Sequence, residues 1–209
     1  SSDVCSSDLR EVVLALDAPW EGPMSGYVTM MADDGVFRMY YRGGGETTEE
    51  VVCMATSRDG VKWERPNLGL VDFKKSKANN ILLRGQRKAY WEAHNFTPFK
   101  DTNPAALPEQ RYKAMGLGRQ TNSVTGDREK ALVALVSADG VHWKLLRSEP
   151  IITKGSFDSQ NTVFWDANRR EYVAYVRDGR TTLDGRRVRS VLRATSKDFV
   201  NWTDPVWLD

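Results

Sequence analysis

Short apolar runs separated by turn residues follow one another along almost the whole chain. "EVVCMAT", "ALVALV" and "SVLRAT" are runs of this kind, rich in β-branched residues and bounded by Gly, Asp, Asn or Pro. Runs of this length and composition are typical of β-strands, and no segment shows the 3.6-residue period of an amphipathic helix. The pattern therefore predicts an all-β protein.

One heptapeptide pattern follows these runs three times, as "SRDGVKW" from Ser57, "SADGVHW" from Ser137 and "SKDFVNW" from Ser196. Asp-Gly between two strands predicts a tight hairpin with glycine at positive φ. The Ser and Asp side chains can bond to the turn backbone, and the Trp can pack over it. We interpret the three copies as structural staples. Because Phe199 replaces glycine in the third copy, we expect a different turn there.

Each staple ends a longer unit of four short strands, which is the composition of a propeller blade. The predicted blades cover about 22–66, 93–150 and 157–209, with Trp63, Trp143 and Trp202 in equivalent positions. A β-sandwich gives no reason for the same hairpin to recur in each unit. Three blades do not close a ring, so we expect a fragment. The polar near-repeat at residues 1–9 is expected to be non-native or disordered.

Composition excludes several classes of function. The chain has 209 residues with 40% apolar content, and its 30 basic residues nearly balance 28 acidic ones. This balance gives no reason to expect binding to nucleic acid or to a membrane surface. Two cysteines make neither a disulfide framework nor a metal cluster, and His94 and His142 lie too far apart to indicate zinc. No metal or cofactor is expected, and nothing indicates an oligomeric state.

Three stretches carry a family resemblance: "APWEGPMSGYVTMMADDGVFRMYYRG" (18–43), "HNFTPFKDTNPAALPEQRYKAMG" (94–116) and "ITKGSFDSQNTVFWDANRREYVAYVRD" (152–178). They resemble the five-bladed propeller glycoside hydrolases, and more closely bacterial proteins with a family 32 N-terminal-like or family 43-like domain. The resemblance covers about residues 10–209. It implies a five-bladed β-propeller with about three four-stranded blades present, a saccharide partner, and secretion or a periplasmic location.

The same resemblance implies that carboxylates project from the innermost strands into a central pocket and cut a glycosidic bond. The Trp-Met-Asn-Asp-Pro and Arg-Asp-Pro motifs of family 32 are absent, and the acid Glu of the family lies in a later blade. Among residues where a first strand begins, Asp158 is our first catalytic candidate, as a base or as a charge that tunes its neighbour. Glu21 is the second. Their alternatives are a turn residue and a solvated loop charge.

Further polar residues are expected to bind substrate around the same pocket. They are His94, Asn95, Gln160, Asn161, Arg42 and Arg177. His94 could equally be a satisfied core histidine, and the two arginines could brace neighbouring blades through ion pairs. Asp101 is interpreted as a turn residue away from the axis, and His142 as structural. The basic run 180–193 is either a solvated hairpin or a surface for an acidic glycan.

Glycosidic bond hydrolysis by a carboxylate pair is the leading functional hypothesis. The alternative is a non-catalytic glycan-binding propeller that kept the pocket and lost the acid. A protein-interaction propeller is less favoured, because the polar residues converge at the predicted channel end. Fold resemblance alone does not decide between these functions.

Overall fold

The computed structural model describes residues 12–45, 48–85 and 91–208. Within these ranges the chain forms β-strands, turns and one short 3₁₀ turn. The strands in chain order are β1 (Gly26–Asp33), β2 (Val36–Gly45), β3 (Thr48–Ser57), β4 (Trp63–Glu64), β5 (Ile81–Arg84), β6 (Trp91–Lys100), β7 (Tyr112–Thr121), β8 (Arg128–Ser137), β9 (Lys144–Leu145), β10 (Thr162–Asp166), β11 (Glu171–Thr181), β12 (Arg187–Ser196) and β13 (Val206–Trp207). The all-β prediction is confirmed.

Each predicted unit forms one antiparallel sheet in which strands follow chain order. The first sheet is β1-β2-β3-β4, the second β6-β7-β8-β9 and the third β10-β11-β12-β13. The first sheet has an additional strand, because β5 pairs with the start of β3 while β4 pairs with its end. This fifth strand was not predicted. Three successive meanders of four strands are the arrangement of propeller blades, so the partial propeller prediction is confirmed.

The sheets pack face to face because their central strands are apolar on both sides. In β8, Val133 and Leu135 pack against the first sheet, whereas Leu132 and Ala134 pack against the third. Successive strand residues point to opposite faces, so one run of apolar residues serves two interfaces. The far face of the first sheet is covered by the N-terminal segment, where Trp20 packs. Continuous apolar runs such as "ALVALV" therefore reflect burial on both sides.

An aspartate at the end of the first strand links the first sheet to the second and the second sheet to the third. Strand pairing places Asp33, Asp101 and Asp166 at equivalent positions. Asp33 accepts a hydrogen bond of 2.6 Å from the Tyr112 hydroxyl of the second sheet, and Asp101 accepts one of 2.7 Å from Tyr172 of the third. The two contacts recur because the blades repeat. They fix the position of each sheet relative to the one before.

Asp101 also forms a buried ion pair with Lys113, at 2.6 Å between Oδ2 and Nζ. Burial, and the negative charge of Asp101 beside it, raise the pKa of the Tyr172 hydroxyl, which keeps it a hydrogen-bond donor. Removing one partner from such a buried pair leaves an uncompensated charge, at a cost of about 3–5 kcal/mol. Asp101 is therefore structural and lies away from the site described below.

The three staples share one hydrogen-bond pattern. Trp63, Trp143 and Trp202 each donate from Nε1 to the carbonyl three residues earlier, at 3.0, 2.9 and 3.1 Å. The predicted equivalence of the three tryptophans is confirmed. The turns are wider than a two-residue hairpin, since residues 58–62 separate β3 from β4. The aspartate side chain bonds two backbone N–H groups and makes this wider loop rigid.

The expectation of a different third turn is wrong. Phe199 has φ +67°, in the same left-handed region as Gly60 at +77° and Gly140 at +75°. Its N–H donates to Ser196 Oγ at 2.9 Å, as the Gly60 N–H does to Ser57 Oγ. Phe199 is fully buried between the second and third sheets. Burial of the ring offsets the strain of a left-handed phenylalanine, which is about 1–2 kcal/mol.

Gly140 and Phe199 occupy the same position in their turns but contact different preceding sheets. At the first interface the side chains of Arg38 and Tyr40 reach over the turn, and the Tyr40 hydroxyl donates to the Gly140 carbonyl at 3.0 Å. At the second interface Lys113 occupies the position of Arg38 by strand register, and its Nζ lies 5.8 Å from the centre of the Phe199 ring. The glycine is thus required where the preceding sheet carries large side chains.

None of the described segments forms a helix long and apolar enough to cross a membrane. Cys53 is a free, buried cysteine in the core of the first sheet.

We expect Gly140→Ala to destabilise the protein more than Gly60→Ala. Both substitutions place a side chain at positive φ, at about 1–2 kcal/mol. A Cβ at Gly140 would also lie 2.5 Å from Arg38 Nη1 and 2.8 Å from the Tyr40 hydroxyl, whereas Gly60 has only distant contacts to Phe37. Overpacking adds about 1–3 kcal/mol at Gly140. Urea unfolding of the two variants measures the difference, and equal losses would contradict the packing argument.

We also expect stability to fall with acid through the staple aspartates. Burial opposes ionisation of Asp198, but hydrogen bonds from Asn201 and Val200 outweigh it and lower its pKa from 3.8 to about 2. The pKa of Asp139 is lowered in the same way, chiefly by His142. A carboxyl group whose pKa is lower in the folded protein stabilises the fold at pH values above its unfolded pKa. This stabilisation is lost as the pH falls from about 4 to about 2. Urea unfolding across that range should show a shallower fall for Asp139→Asn/Asp198→Asn; an unchanged slope overturns the assignment.

Candidate functional site

Polar residues from all three sheets meet at the end of the molecule where the first strands begin. Arg42 lies near the end of β2, Glu50 near the start of β3 and His94 near the start of β6. Asp158 lies in the loop before β10, and Arg177 lies in the second half of β11. Antiparallel pairing brings the beginning of one strand beside the end of the next, so these positions share one edge. The structure thus brings the candidate residues His94 and Asp158 together at the predicted edge. That chemistry takes place there stays a prediction.

His94 lies between two carboxylates. Its Nδ1 is 3.0 Å from Glu50 Oε1, and its Nε2 is 3.7 Å from Asp158 Oδ1. Arg42 Nη1 lies 3.1 Å from the same Nδ1 and 3.6 Å from Glu50 Oε1. With the proton on Nδ1, the imidazole donates to Glu50 and directs Nε2 towards Asp158. His94 is thus held by Glu50 and half-exposed towards the carboxylate of another sheet.

Tyr27 supports this group through an unusual backbone conformation. It has φ +50° at an irregularity in the β1–β2 pairing between Gly26 and Thr29. Its ring meets the His94 ring edge-on at 5.3 Å, and the Arg42 guanidinium lies 4.5 Å above it. Left-handed non-glycine residues cost about 1–3 kcal/mol and cluster at functional sites. The bulge places the phenol ring where a regular strand would turn it away.

Asp158 faces two cationic groups and the His94 ring without a hydrogen bond to any of them. His94 Nε2 and Arg177 Nη1 each lie 3.7 Å from its carboxylate, and Lys130 Nζ lies 4.0 Å away. An ionised carboxylate is attracted to the arginine and the lysine. Its side chain is 48% exposed, so its oxygens remain accessible. These distances are too long for direct hydrogen bonds. An oxygen atom of a ligand or of water that lies beside two of these groups could bridge them.

Two buried amides hold the loop that carries Asp158. The Asn95 amide donates to the carbonyls of Phe157 and Ser159, at 2.7 and 2.8 Å. The Asn161 amide donates to the same two carbonyls at 3.2 and 3.0 Å, and its oxygen accepts from the Arg177 N–H. Both side chains are buried. Predicted as substrate-binding residues, they instead position Asp158 through its neighbours, because their donors are already engaged.

Gln160 and Arg42 also make contacts within the protein. Gln160 donates from Nε2 to Thr29 Oγ1 at 2.6 Å and to the Val28 carbonyl at 3.1 Å, which joins the third sheet to β1. Arg42 donates to the Met24 carbonyl from both Nε and Nη2. Gln160 remains half-exposed and borders a pocket, whereas Arg42 is buried. The bracing alternative therefore describes Arg42 well.

The structure does not bring Glu21 into this group, which corrects the expectation of a shared cavity. Its carboxylate accepts from the Tyr41 hydroxyl at 2.5 Å, from Arg65 at 2.8 and 3.1 Å, and from the Ala18 N–H at 2.8 Å. Tyr41 and Arg42 are successive strand residues and point to opposite faces of the first sheet. Glu21 is buried on the face away from His94 and holds the N-terminal segment against the sheet.

His142 belongs to the second staple. His142 is exposed and bonds to Asp139 of its own staple at 2.7 Å, as expected for a structural residue. In the part of the chain that the structure describes, no group of three or more His, Cys, Asp or Glu side chains is arranged to hold a metal ion.

Comparison with solved structures gives the class of fold. The chain superimposes on a GH32 beta-fructofuranosidase from Bombyx mori with a TM-score of 0.56 and 13% identity, over 88% of this chain and 34% of that enzyme. A second structure described as a glycoside hydrolase gives 0.55 and 16%, over 88% and 58%. A glycosyl hydrolase from Bacteroides ovatus gives 0.51 and 16%, over 90% and 50%.

The chain thus has the fold of the β-propeller glycoside hydrolases, and the resemblance proposed from its sequence is confirmed at the level of fold. It spans between 34% and 58% of the length of these three structures. No protein-family model and no curated protein sequence matches it.

Sequence reasoning missed Glu50, Tyr27 and Lys130. "TTEEVV" gave no reason to prefer one glutamate, because which of the two faces His94 depends on the register of β3 with β2. In the sequence Tyr27 looks like an ordinary aromatic residue of a strand. Its orientation comes from the irregular pairing of β1 with β2 between Gly26 and Thr29. Lys130 lies on β8, the third strand of the second sheet, whereas the sequence analysis took its candidates mainly from the beginnings of first strands. Alternation with the following residues does not separate Glu50 from Glu49 either, because Val51 and Val52 are both apolar and buried.

We expect Asn95→Ala to release the loop that carries Asp158. The substitution leaves the Phe157 and Ser159 carbonyls with one donor each instead of two, and each lost hydrogen bond costs about 0.5–1.5 kcal/mol. Hydrogen exchange should increase for the amides of residues 155–161 and not for those of β8. Asn122→Ala, in an exposed hairpin, serves as the control. Unchanged exchange in the loop of the Asn95 variant would refute the positioning role.

Proposed function

We propose that this chain contributes the site of a glycosidase, which cleaves a glycosidic bond with the help of a carboxylate pair. The observation that carries the proposal is the geometry of Asp158. Its carboxylate is accessible, lies in a loop held by two amides, and faces Arg177, Lys130 and the His94 ring without a direct hydrogen bond to any of them. Structural aspartates elsewhere in the described chain, such as Asp33 and Asp101, have their carboxylates buried and paired.

In this proposal Asp158 acts on the reacting centre, either as the base that takes a proton from the attacking water or as the charge that tunes a neighbouring acid. Glycoside hydrolysis needs two carboxyl groups on either side of the scissile bond. Glu21 no longer suits the second role, because Arg65 and Tyr41 occupy it. Among the described residues, Glu50 and Asp158 are the carboxylates that flank His94. We assign the second role to Glu50, acting beside His94.

His94 is the residue best placed to contact a sugar hydroxyl. Glu50 holds its Nδ1, so Nε2 is directed into the gap of 3.7 Å before Asp158. Nε2 without its proton and the Asp158 carboxylate are both acceptors, so a sugar hydroxyl beside them could donate to either one. Gln160 lies at the border of the same region. Asn95 and Asn161 serve as positioning residues in this proposal.

The structural neighbours support a carbohydrate ligand. All three structures described above are of glycoside hydrolases. A variant of the Bombyx mori enzyme, solved in complex with sucrose, superimposes on the chain with a TM-score of 0.53 and 13% identity. At this identity the likeness concerns the fold, so the particular sugar is not carried over to this chain.

A glycan-binding propeller without catalytic activity is the second candidate. It is favoured by the engagement of the carboxylates in the described chain: Glu21 is bonded to Arg65, and Glu50 is bonded to His94. A carboxyl group that protonates a leaving oxygen must have access to the substrate. Under this candidate, Asp158, His94 and Arg177 bind sugar hydroxyls without chemistry.

Asp158→Asn should abolish turnover and leave folding almost unchanged. The amide has nearly the same volume but no charge, and loss of a general acid or base typically lowers the rate by about 10²–10⁴-fold. Hydrolysis of a panel of oligosaccharides beside a thermal melt measures both effects. Asp184→Asn, in an exposed hairpin, is the matched control and should retain activity. Full activity in the Asp158 variant excludes it as a catalytic carboxylate, while binding without turnover in the unmodified protein supports the second candidate.

A further inference from the structure

Two bulky residues with a left-handed backbone lie at the site and not in a turn of one sheet. Seven non-glycine residues of the described chain have positive φ. Five of them lie between successive strands of the same sheet: Asp34, Lys74, Lys75, Arg170 and Phe199. The other two are Tyr27, described above, and Phe157, which directly precedes Asp158. Residues held in this conformation cluster at functional sites, where the surrounding structure fixes them.

The backbone conformation of Phe157 directs two successive N–H groups to one acceptor. Ser156 and Phe157 both donate to the Arg177 carbonyl, at 3.2 and 3.0 Å. In an extended strand successive N–H groups point in opposite directions, so a single carbonyl could not accept from both. A left-handed residue brings them to the same side. This end of the loop is thereby attached to β11.

Hydrogen bonds hold the backbone on both sides of Asp158. The Phe157 and Ser159 carbonyls each accept from the amides of Asn95 and Asn161. The Phe157 ring is fully buried between the second and third sheets, whereas the Asp158 side chain is 48% exposed. The ring therefore anchors the loop in the core, and the next side chain along the chain faces His94.

Gly155 makes room for this ring. It has φ +145°, and a Cβ at this position would lie 2.8 Å from Cε1 and 3.0 Å from Cζ of Phe157. A fully buried ring in a close-packed core has little space into which it can move. A side chain at residue 155 would therefore displace the ring, and with it the backbone that carries Asp158.

We propose that Phe157 is a positioning residue for Asp158, and that Gly155 is required to admit its ring. The buried ring and the left-handed backbone hold the Asp158 carboxylate 3.7 Å from His94 Nε2. The inference rests on the proposed function, since it explains how the carboxylate assigned there is kept in place. Reacting groups must be held closely, because a displacement of about 1 Å can lower the rate by about 10²-fold.

Gly155→Ala provides the test, with the imidazole of His94 as the probe. The nitrogen NMR signal of Nε2 depends on the groups beside it, so displacement of the carboxylate should move it towards its position in Asp158→Asn. The second histidine of the chain, His142, lies in a staple, and its signal should stay unchanged. In the proposed reaction we expect kcat to fall by about 10²-fold, with a smaller change in KM.

Gly126→Ala is the matched control. Gly126 has φ +75° in an exposed hairpin, and no atom lies within 4 Å of the added Cβ. The control variant therefore has a similar backbone penalty without the contact to a buried ring. Its His94 signal and its kcat should equal those of the unmodified protein.

Phe157→Leu is a second variant, which shortens the anchor without a change at Gly155. It should move the His94 signal in the same direction as Gly155→Ala but by less, and it decides the question alone if Gly155→Ala does not fold. An unchanged His94 signal in either folded variant overturns the inference and leaves the proposed function standing. A shifted signal together with full activity of Asp158→Asn supports the positioning role and contradicts the proposed function alone.

Discussion

A sheet that is apolar on both faces must be covered on both faces, and this constraint organises the molecule. The second sheet buries Val133 and Leu135 on one side and Leu132 and Ala134 on the other. Apolar contacts alone would allow neighbouring sheets to slide, because the hydrophobic effect has no preferred direction. The hydrogen bonds from Tyr112 to Asp33 and from Tyr172 to Asp101 remove that freedom. Each sheet is thereby fixed in one position on its neighbour.

The position of the site follows from this arrangement. Meandering sheets fixed face to face present all of their first-strand beginnings at the same end, and His94 and Asp158 meet there although 64 residues separate them in the sequence. The opposite end carries the aspartates that hold the sheets together. The two ends thus differ: at one end buried, paired carboxylates link the sheets, and at the other the accessible Asp158 carboxylate lies near Arg177, Lys130 and His94 without a direct hydrogen bond to them.

Repetition allows equivalent positions to be compared between sheets. In the first sheet Arg42 is buried, braced by the Met24 carbonyl and accompanied by Glu50. In the third sheet the equivalent Arg177 is accompanied by Arg189 and borders a pocket. The same comparison explains Phe199, which fills space that Arg38 and Tyr40 occupy at the other interface.

Local pattern determined the strands, the staples and the division into three repeating sheets, because these depend on residues close together in the sequence. Tertiary packing decided the rest. It placed Phe199 in the conformation of a glycine, since burial of the ring outweighed backbone strain. It turned Glu21 to the far face of the first sheet and Glu50 to the near one, because strand register selects the face and no local signal reports it. Asp158 could be chosen from its place before a first strand, but its neighbours His94, Lys130 and Arg177 come from three separate strands that only the packed sheets bring together.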